Sequence, residues 1–78
     1  MKLVVITPEK TATVDGVDKV LIPGGLGDFM VLGGHAPLIS TAVKGKVVYG
    51  RGGAENTIEV ESGVVEVSDD VVKILVEQ

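Results

Sequence analysis

Short apolar runs, each stopped by glycine, proline or an acidic turn, follow one another along the chain. Where the pattern is clearest, apolar and polar residues alternate strictly, which is typical of a strand with one buried face. This alternation directs Ile58 and Val60 inward, and it does the same for Val65 and Val67 in the next run. Two further strands are predicted near the C-terminal end, one around Val65 and a last one that buries Val72, Ile74 and Val76. The other predicted strands cover residues 3–7, 10–14, 17–22, 28–32, 38–43, 46–49 and 57–61.

The turn residues between these runs exclude long helices and predict several reversals of the chain. Glycine and proline leave no uninterrupted window in which a helix would be stable. Asp15-Gly16 lies between two apolar runs, a pattern that favours a two-residue β-hairpin. We expect a flexible loop at the glycine-rich residues 50–53 and a tight turn at residues 68–70.

The composition also favours strands over helices. Sixteen valines, five isoleucines and five threonines make up a third of the 78 residues, and their branched side chains suit pleated strands. The sequence therefore predicts one all-β domain, residues 1–78, built as a two-sheet antiparallel β-sandwich of about eight to ten strands. Residues 3–6 and 17–22 are apolar on both faces over part of their length, although a sandwich needs only one apolar face per strand. This surplus indicates that a partner covers part of the outer surface.

The charge and the absence of cysteine narrow the range of functions. A net charge of −4 with a single arginine argues against nucleic acid, whose backbone is bound by several basic side chains. It argues equally against an anionic lipid surface. The first apolar run is too short for a signal peptide, and no run approaches the ~20 residues of a membrane-spanning helix, so we expect no direct membrane insertion. Without cysteine, neither a disulfide nor a thiolate metal site can form.

Candidate catalytic and cofactor-binding residues are few. His35 is the only histidine, which excludes a histidine-rich metal cluster, and we interpret it as a loop or interface residue rather than a general base. The glycine-rich segment 24–27 precedes a predicted strand instead of a helix, so it does not predict a phosphate-binding loop. Asp69-Asp70 is interpreted as a turn, because an adjacent pair without further oxygen ligands is a weak cation site. We therefore predict no catalytic residue, cofactor or metal.

One segment carries a specific family resemblance. Residues 22–38 read IPGGLGDFMVLGGHAPL and resemble the signature of the ε subunit of F-type ATP synthases, with GHAPL at residues 34–38 the most specific part. Weaker matches at residues 3–9, 17–20 and 62–69 extend the resemblance over nearly the whole chain. It implies the N-terminal β-sandwich domain of that subunit.

The departures from the family pattern are local except at the C-terminal end. Gly33, Met30 and Ser62 stand where proline, glycine and glycine are usual. Family members typically continue into a helical hairpin that regulates ATP hydrolysis, whereas this sequence stops at Gln78. We therefore expect a short form without the hairpin and assign no regulatory switch. Whether it is naturally short or a piece of a longer protein is open.

The resemblance also implies a function. In the family, this sandwich lies at the foot of the central stalk, binds the γ subunit and the c-ring, and transmits proton-driven rotation to ATP synthesis without catalysing a reaction. It further implies attachment, through the complex, to the cytoplasmic face of a bacterial inner membrane. Asp28 and Phe29 correspond to the c-ring contact, although a core role for Phe29 is an equally open interpretation. The γ contact corresponds to Gly34, His35, Ala36 and Pro37, and Ile39 and Ala42 are expected to extend it.

Three other interpretations remain open from the residues themselves. A lipoyl or biotinyl carrier domain has a similar length, but its modified lysine lies on a hairpin tip, whereas Lys19 falls inside a predicted strand. The other two are an enzyme that uses His35 with a carboxylate and a generic β-sandwich interaction module. If an apolar partner-facing surface is left bare, we also expect self-association of the isolated chain.

Overall fold

Nine β-strands account for the regular structure of residues 1–77, the part of the chain that a computed structural model describes. They are β1 (Lys2–Ile6), β2 (Thr11–Val14), β3 (Val17–Ile22), β4 (Phe29–Leu32), β5 (Leu38–Ala42), β6 (Gly45–Arg51), β7 (Ala54–Val60), β8 (Ser62–Ser68) and β9 (Val71–Glu77). The number lies within the predicted range.

The strands form two sheets, which confirms the predicted all-β sandwich. One sheet has five strands in the order β2-β1-β9-β8-β5, and the other has four in the order β4-β3-β6-β7. All the paired strands are antiparallel except β1 and β9, which run parallel. The predicted antiparallel arrangement therefore needs this one correction. A parallel pair requires a long crossover connection, and nearly all of the remaining chain serves as that connection here.

An aliphatic core lies between the two sheets. The positions that alternation directs inward on β8 and β9 are buried as predicted, and Ile58 on β7 is half-buried against them. No polar or charged side chain of residues 1–77 is buried. Burial of branched side chains therefore holds the sheets together, at about 1.5–3 kcal/mol for each fully buried one. The buried residues are Leu3, Val5, Val17, Val20, Ile22, Val31, Ala42, Val47, Val60, Val65, Val67, Val72, Ile74 and Val76.

The hairpin predicted at Asp15-Gly16 is wrong. The segment joins β2 to β3, but β2 pairs with β1 while β3 pairs with β4 and β6, so the chain crosses between sheets here. Only Gly16 has a positive φ, of 67°, whereas a type I′ hairpin turn needs one at both central residues. The crossover is fixed by Met1 and Val17, whose main-chain N–H groups donate to each other's carbonyls at 2.9 and 2.8 Å.

Two-residue hairpins occur instead at two other places. Gly52 and Gly53 both have a positive φ, and they join Arg51 to Ala54, so the flexible loop expected at residues 50–53 is a tight turn between paired strands. Asp69 and Asp70, with φ of 52° and 61°, turn the chain from β8 to β9, which confirms the turn predicted there.

The charged side chains lie at the surface of the described part of the chain. Lys2 and Asp15 form an exposed ion pair at 3.8 Å, and Lys44 and Glu61 form another at 4.0 Å. Exposed pairs of this kind contribute roughly 0–1 kcal/mol. Within residues 1–77, histidine and acidic side chains form no group that could hold a metal ion. No helix in this range is long and apolar enough to cross a membrane.

Candidate interaction surfaces

The connection between β3 and β4, residues 23–28, forms an ordered loop at one end of the sandwich; we refer to it as the Leu26 loop. The Gly27 N–H donates to the Gly24 carbonyl at 3.1 Å and closes a turn. The Pro23 carbonyl accepts from the Val43 N–H at 2.8 Å, and Gly24 bridges to Ala42. Main-chain bonds thus fasten this loop to the end of β5.

The side chains of the Leu26 loop point to solvent. Leu26 is fully exposed, and Asp28 is exposed without an ion-pair partner among residues 1–77. Phe29, the first residue of β4, is half-buried against the core. Its ring packs on Gly24, where an added Cβ would lie 2.9 Å from two ring carbons. The Phe29 ring thus packs against the core without belonging to its fully buried residues, whereas Leu26 and Asp28 are both exposed.

The connection between β4 and β5, residues 33–37, is exposed throughout; we refer to it as the His35 loop. The His35 N–H donates to the Leu32 carbonyl at 3.2 Å, and Gly34 has a φ of +79°. A positive φ at only the third residue is the signature of a type II turn, which explains the glycine at that position. The Gly34 N–H donates to Asp70 Oδ1 at 3.3 Å, so the turn between β8 and β9 supports this loop.

The imidazole of His35 contacts the backbone rather than an acid. Its Nδ1 lies 2.6 Å from the carbonyl oxygen of Ala36, so Nδ1 is the donor in this bond. A catalytic histidine of the usual kind is oriented by a carboxylate and contacts a nucleophile. The arrangement does not match that requirement, and the ring is exposed.

The two residues expected to extend the γ contact differ in exposure. Ile39 on β5 is 73% exposed and follows closely after the His35 loop. Ala42, at the end of the same strand, is only 4% exposed and belongs to the core. Because side chains alternate along β5, Ile39 and Ala42 point to opposite faces of the sheet. The inclusion of Ala42 in an exposed patch was therefore wrong, because its methyl group faces the other sheet.

The outer face of the five-stranded sheet carries more apolar surface than the alternation predicts. The strand register gives two rows of side chains that cross all five strands on this face. One row is interrupted by the neighbours Lys73 and Glu66, whereas the other has three aliphatic side chains side by side. In strand order the rows are Thr13, Val4, Lys73, Glu66 and Ile39, and then Thr11, Ile6, Leu75, Val64 and Thr41.

A shallow groove of about 590 Å³ follows the aliphatic row. Ile6, Val64 and Leu75 line it together with Gly63, where glycine is required because an added Cβ would collide with the Leu75 main-chain oxygen. Sequence reasoning did not single out Val64 or Leu75. The available signal was two pairs of adjacent apolar residues, Val64-Val65 and Ile74-Leu75. In a strand, one residue of each such pair must point outward.

The outer face of the four-stranded sheet has a second apolar row. Met30, Leu21 and Val48 are neighbours in the register, and Leu32 lies beside Lys19 in the next row. The Lys19 ammonium forms an ion pair with Glu55 at 2.9 Å, and its stem crosses the buried Gly50. Lys19 thus lies within a strand, which contradicts a carrier domain with its modified lysine on a hairpin tip.

The whole chain, residues 1–78, matches the family model described as the ATP synthase, Delta/Epsilon chain, beta-sandwich domain. The chain belongs to this family. Among similar curated proteins, the ATP synthase epsilon chain 1 of Syntrophotalea carbinolica is 40% identical over 77 residues, and the epsilon chain of Geobacter metallireducens is 39% identical over 77 residues. Each alignment covers 99% of this chain and 56% of the relative, so the chain spans little more than half the length of these epsilon chains.

Two solved structures share the fold at low sequence identity. A chain in the Tetrahymena thermophila mitochondrial ATP synthase central stalk and c-ring structure superposes with a TM-score of 0.84 at 17% identity, covering all of this chain and 63% of that one. A chain in the Euglena gracilis mitochondrial OSCP/F1/c-ring structure gives 0.89 at 22% identity, covering 97% and 49%. At this level of identity the match establishes the sandwich and its topology.

Proposed function

We propose that this sandwich is a non-catalytic rotor component of an F-type ATP synthase, which binds the c-ring through the Leu26 loop and the γ subunit through the His35 loop and Ile39. It thereby couples proton-driven rotation of the ring to ATP synthesis in the catalytic head. Membership of the delta/epsilon family supports this function, as does the similarity to ATP synthase epsilon chains at 39–40% identity.

The observation that carries the proposal is the placement of the two loops at opposite ends of one rigid body. The Leu26 loop is fastened to the end of β5 at Ala42, whereas the His35 loop contacts Asp70 in the β8–β9 turn, near the start of β5. The four residues of β4 connect the two loops, and β4 is hydrogen-bonded to β3 along its length. A force on one loop therefore reaches the other through a packed sheet rather than a hinge.

The c-ring side of the proposal rests on exposed charge. Asp28 presents a carboxylate that no cation of residues 1–77 neutralises, and the family resemblance implies polar and basic loops on the ring. Complementary charge fixes register and orientation more than it adds affinity. Leu26, fully exposed beside it, adds an apolar contact that takes the place first expected for Phe29.

The γ side rests on the shape of the His35 loop. Gly33, Gly34 and Ala36 have small side chains or none, so a partner's backbone can approach closely. Pro37 restricts the exit of the loop. Ile39 supplies the adjacent apolar surface on the outer face of the five-stranded sheet. Through the c-ring, this assembly would hold the sandwich at the membrane surface without inserting it.

Reversing the charge of Asp28 tests the c-ring contact. We expect Asp28→Lys to weaken co-purification with the c-ring at least about tenfold, because like charges then face each other across the contact. Asp18→Lys, an exposed acidic residue on β3 with the same change of charge, serves as the control and should leave assembly unchanged. Both variants should keep the unfolding free energy within about 0.5 kcal/mol of the parent. Equal assembly and equal coupled ATP synthesis by the two variants in reconstituted membranes would contradict the proposed contact.

A further inference from the structure

Asp70 contacts two separate segments of the chain, the N-terminal residues and the His35 loop. Its main-chain carbonyl accepts from the Lys2 N–H at 3.1 Å, and its carboxylate Oδ1 accepts from the Gly34 N–H at 3.3 Å. Its Oδ2 lies 3.8 Å from the main-chain nitrogen of Met1. Asp70 thus joins the β8–β9 turn to the N-terminal strand and to the His35 loop, although its side chain is 57% exposed.

The contact with Gly34 falls on the one amide that defines the shape of the His35 loop. Gly34 is the third residue of the type II turn from Leu32 to His35, so its N–H belongs to the central peptide. Type I and type II turns differ by a flip of that peptide, which reverses the direction of its N–H and C=O. A carboxylate that accepts from this N–H therefore favours type II over the alternative.

The neighbouring residue provides an internal comparison. Asp69 and Asp70 share the β8–β9 turn, and both adopt the left-handed conformation with φ of 52° and 61°. Aspartate tolerates this region better than most residues do, yet still less well than glycine. Among residues 1–77, no hydrogen bond or ion pair is formed by the Asp69 carboxylate, whereas that of Asp70 faces Gly34 and Met1.

We propose that Asp70 is a positioning residue for the γ contact, since its carboxylate fixes the central peptide of the His35 loop before the partner arrives. This inference rests on the proposed function, because it concerns the same loop. A loop held in its bound shape loses less conformational freedom on association, and its affinity for a partner is correspondingly higher. Asp70 acts through Gly34 and need not touch γ.

Glycine substitutions at Asp69 and Asp70 separate the contribution of the Asp70 carboxylate from that of the backbone conformation of the turn. Asp70→Gly and Asp69→Gly both relieve a positive φ, so the difference between them reports the contacts of the Asp70 side chain. Asp70→Asn keeps an acceptor oxygen for Gly34 and removes the charge that faces Met1. The full 78-residue chain in these three variants and the parent would be assayed for binding to purified γ subunit, with the Gly34 amide followed by NMR and the thermal midpoint recorded.

We expect Asp70→Gly to bind γ about fivefold more weakly than Asp69→Gly, and to shift the Gly34 amide proton and speed its exchange. Asp70→Asn should restore most of the affinity. Equal affinity of the two glycine variants would overturn the proposal, as would an Asp70→Asn variant that binds as weakly as Asp70→Gly.

The same measurements can contradict γ binding and the positioning role of Asp70 separately. If the parent chain does not bind γ, the proposed function is wrong, and the link between Asp70 and γ is overturned with it. A Gly34 amide that still responds only to Asp70→Gly would then support the contact as an organiser of the loop alone. If the parent chain binds γ but the Gly34 amide does not respond to Asp70→Gly, the positioning role is overturned and the proposed function stands.

Discussion

The two end loops of the sandwich are held in different ways. The Leu26 loop is anchored by main-chain bonds to β5 and by the Phe29 ring packed on Gly24. The His35 loop has no such side chain in the core, and it is held by its own turn and by the exposed carboxylate of Asp70. Packing thus shapes one loop and exposed hydrogen bonding shapes the other.

This difference determines how firmly each loop is held. An aromatic ring packed against the core resists displacement, because its movement would leave a void beside the core. An exposed hydrogen bond contributes only about 0.5–1.5 kcal/mol, and it can be exchanged for a bond to water or to a partner. The Leu26 loop is therefore the more firmly held end, whereas the shape of the His35 loop depends on a single contact of modest strength.

The largest effect is expected from Phe29→Ala. Removal of the ring from its place against the core and Gly24 should lower the free energy of unfolding by about 2–4 kcal/mol. Urea denaturation would measure the loss. Leu26→Ala is the matched control in the same loop, and it should stay within about 0.5 kcal/mol because Leu26 is fully exposed. Similar losses for the two variants would show that the ring does not anchor the loop.

An intermediate effect is expected from Gly34→Ala in the His35 loop. A Cβ there meets no atom within 4 Å, so the cost comes only from the φ of +79° and should be about 1–2 kcal/mol. Gly33→Ala is the control, because its φ is not positive and its Cβ would lie in ordinary contact, 3.8 Å from Asp70 Oδ1. Thermal unfolding of both variants would measure the difference. A neutral Gly34→Ala would mean that the loop readily adopts another turn.

The smallest effect on stability is expected from His35→Ala. The exposed ring is bonded only to the adjacent Ala36 carbonyl, so its removal should cost less than about 1 kcal/mol. Binding to γ should nevertheless weaken, which titration calorimetry with the purified subunit would detect. A large loss of stability would make His35 a structural residue, and unchanged binding would remove it from the γ contact.

The strands were predictable because each needs only a local pattern. Strict alternation gave the inward positions on β7, β8 and β9 correctly, since one face of each strand must be buried. These positions are Ile58, Val60, Val65, Val67, Val72, Ile74 and Val76. The pairing of strands was not predictable in the same way. Asp15-Gly16 has the local chemistry of a hairpin, yet the burial of Val17 in the core accompanies a crossover to the other sheet. Tertiary burial decided between the two outcomes.

The candidate surface was only partly predictable from the sequence, because the exposure of its residues also depends on how the strands pair. The motif at residues 34–38 drew attention to an exposed loop, and Asp28 is exposed as well. Ala42 belongs to the core and Phe29 packs against it, because an apolar residue next to a loop carries no sign of the face it takes until the strand register is known. Asp70 was recognised as a turn residue, but its contact with Gly34 joins residues far apart in the sequence.

The position of β9 constrains how the domain folds. It is the central strand of the five-stranded sheet, and its two neighbours are β8, the preceding strand, and β1 from the far end of the chain. During synthesis, β1 must therefore wait with an unsatisfied edge until the last strand leaves the ribosome. Pairing across such a long separation is slow, and it leaves the early chain open to improper association. A nascent sandwich truncated before residue 71 would lack the middle of its larger sheet.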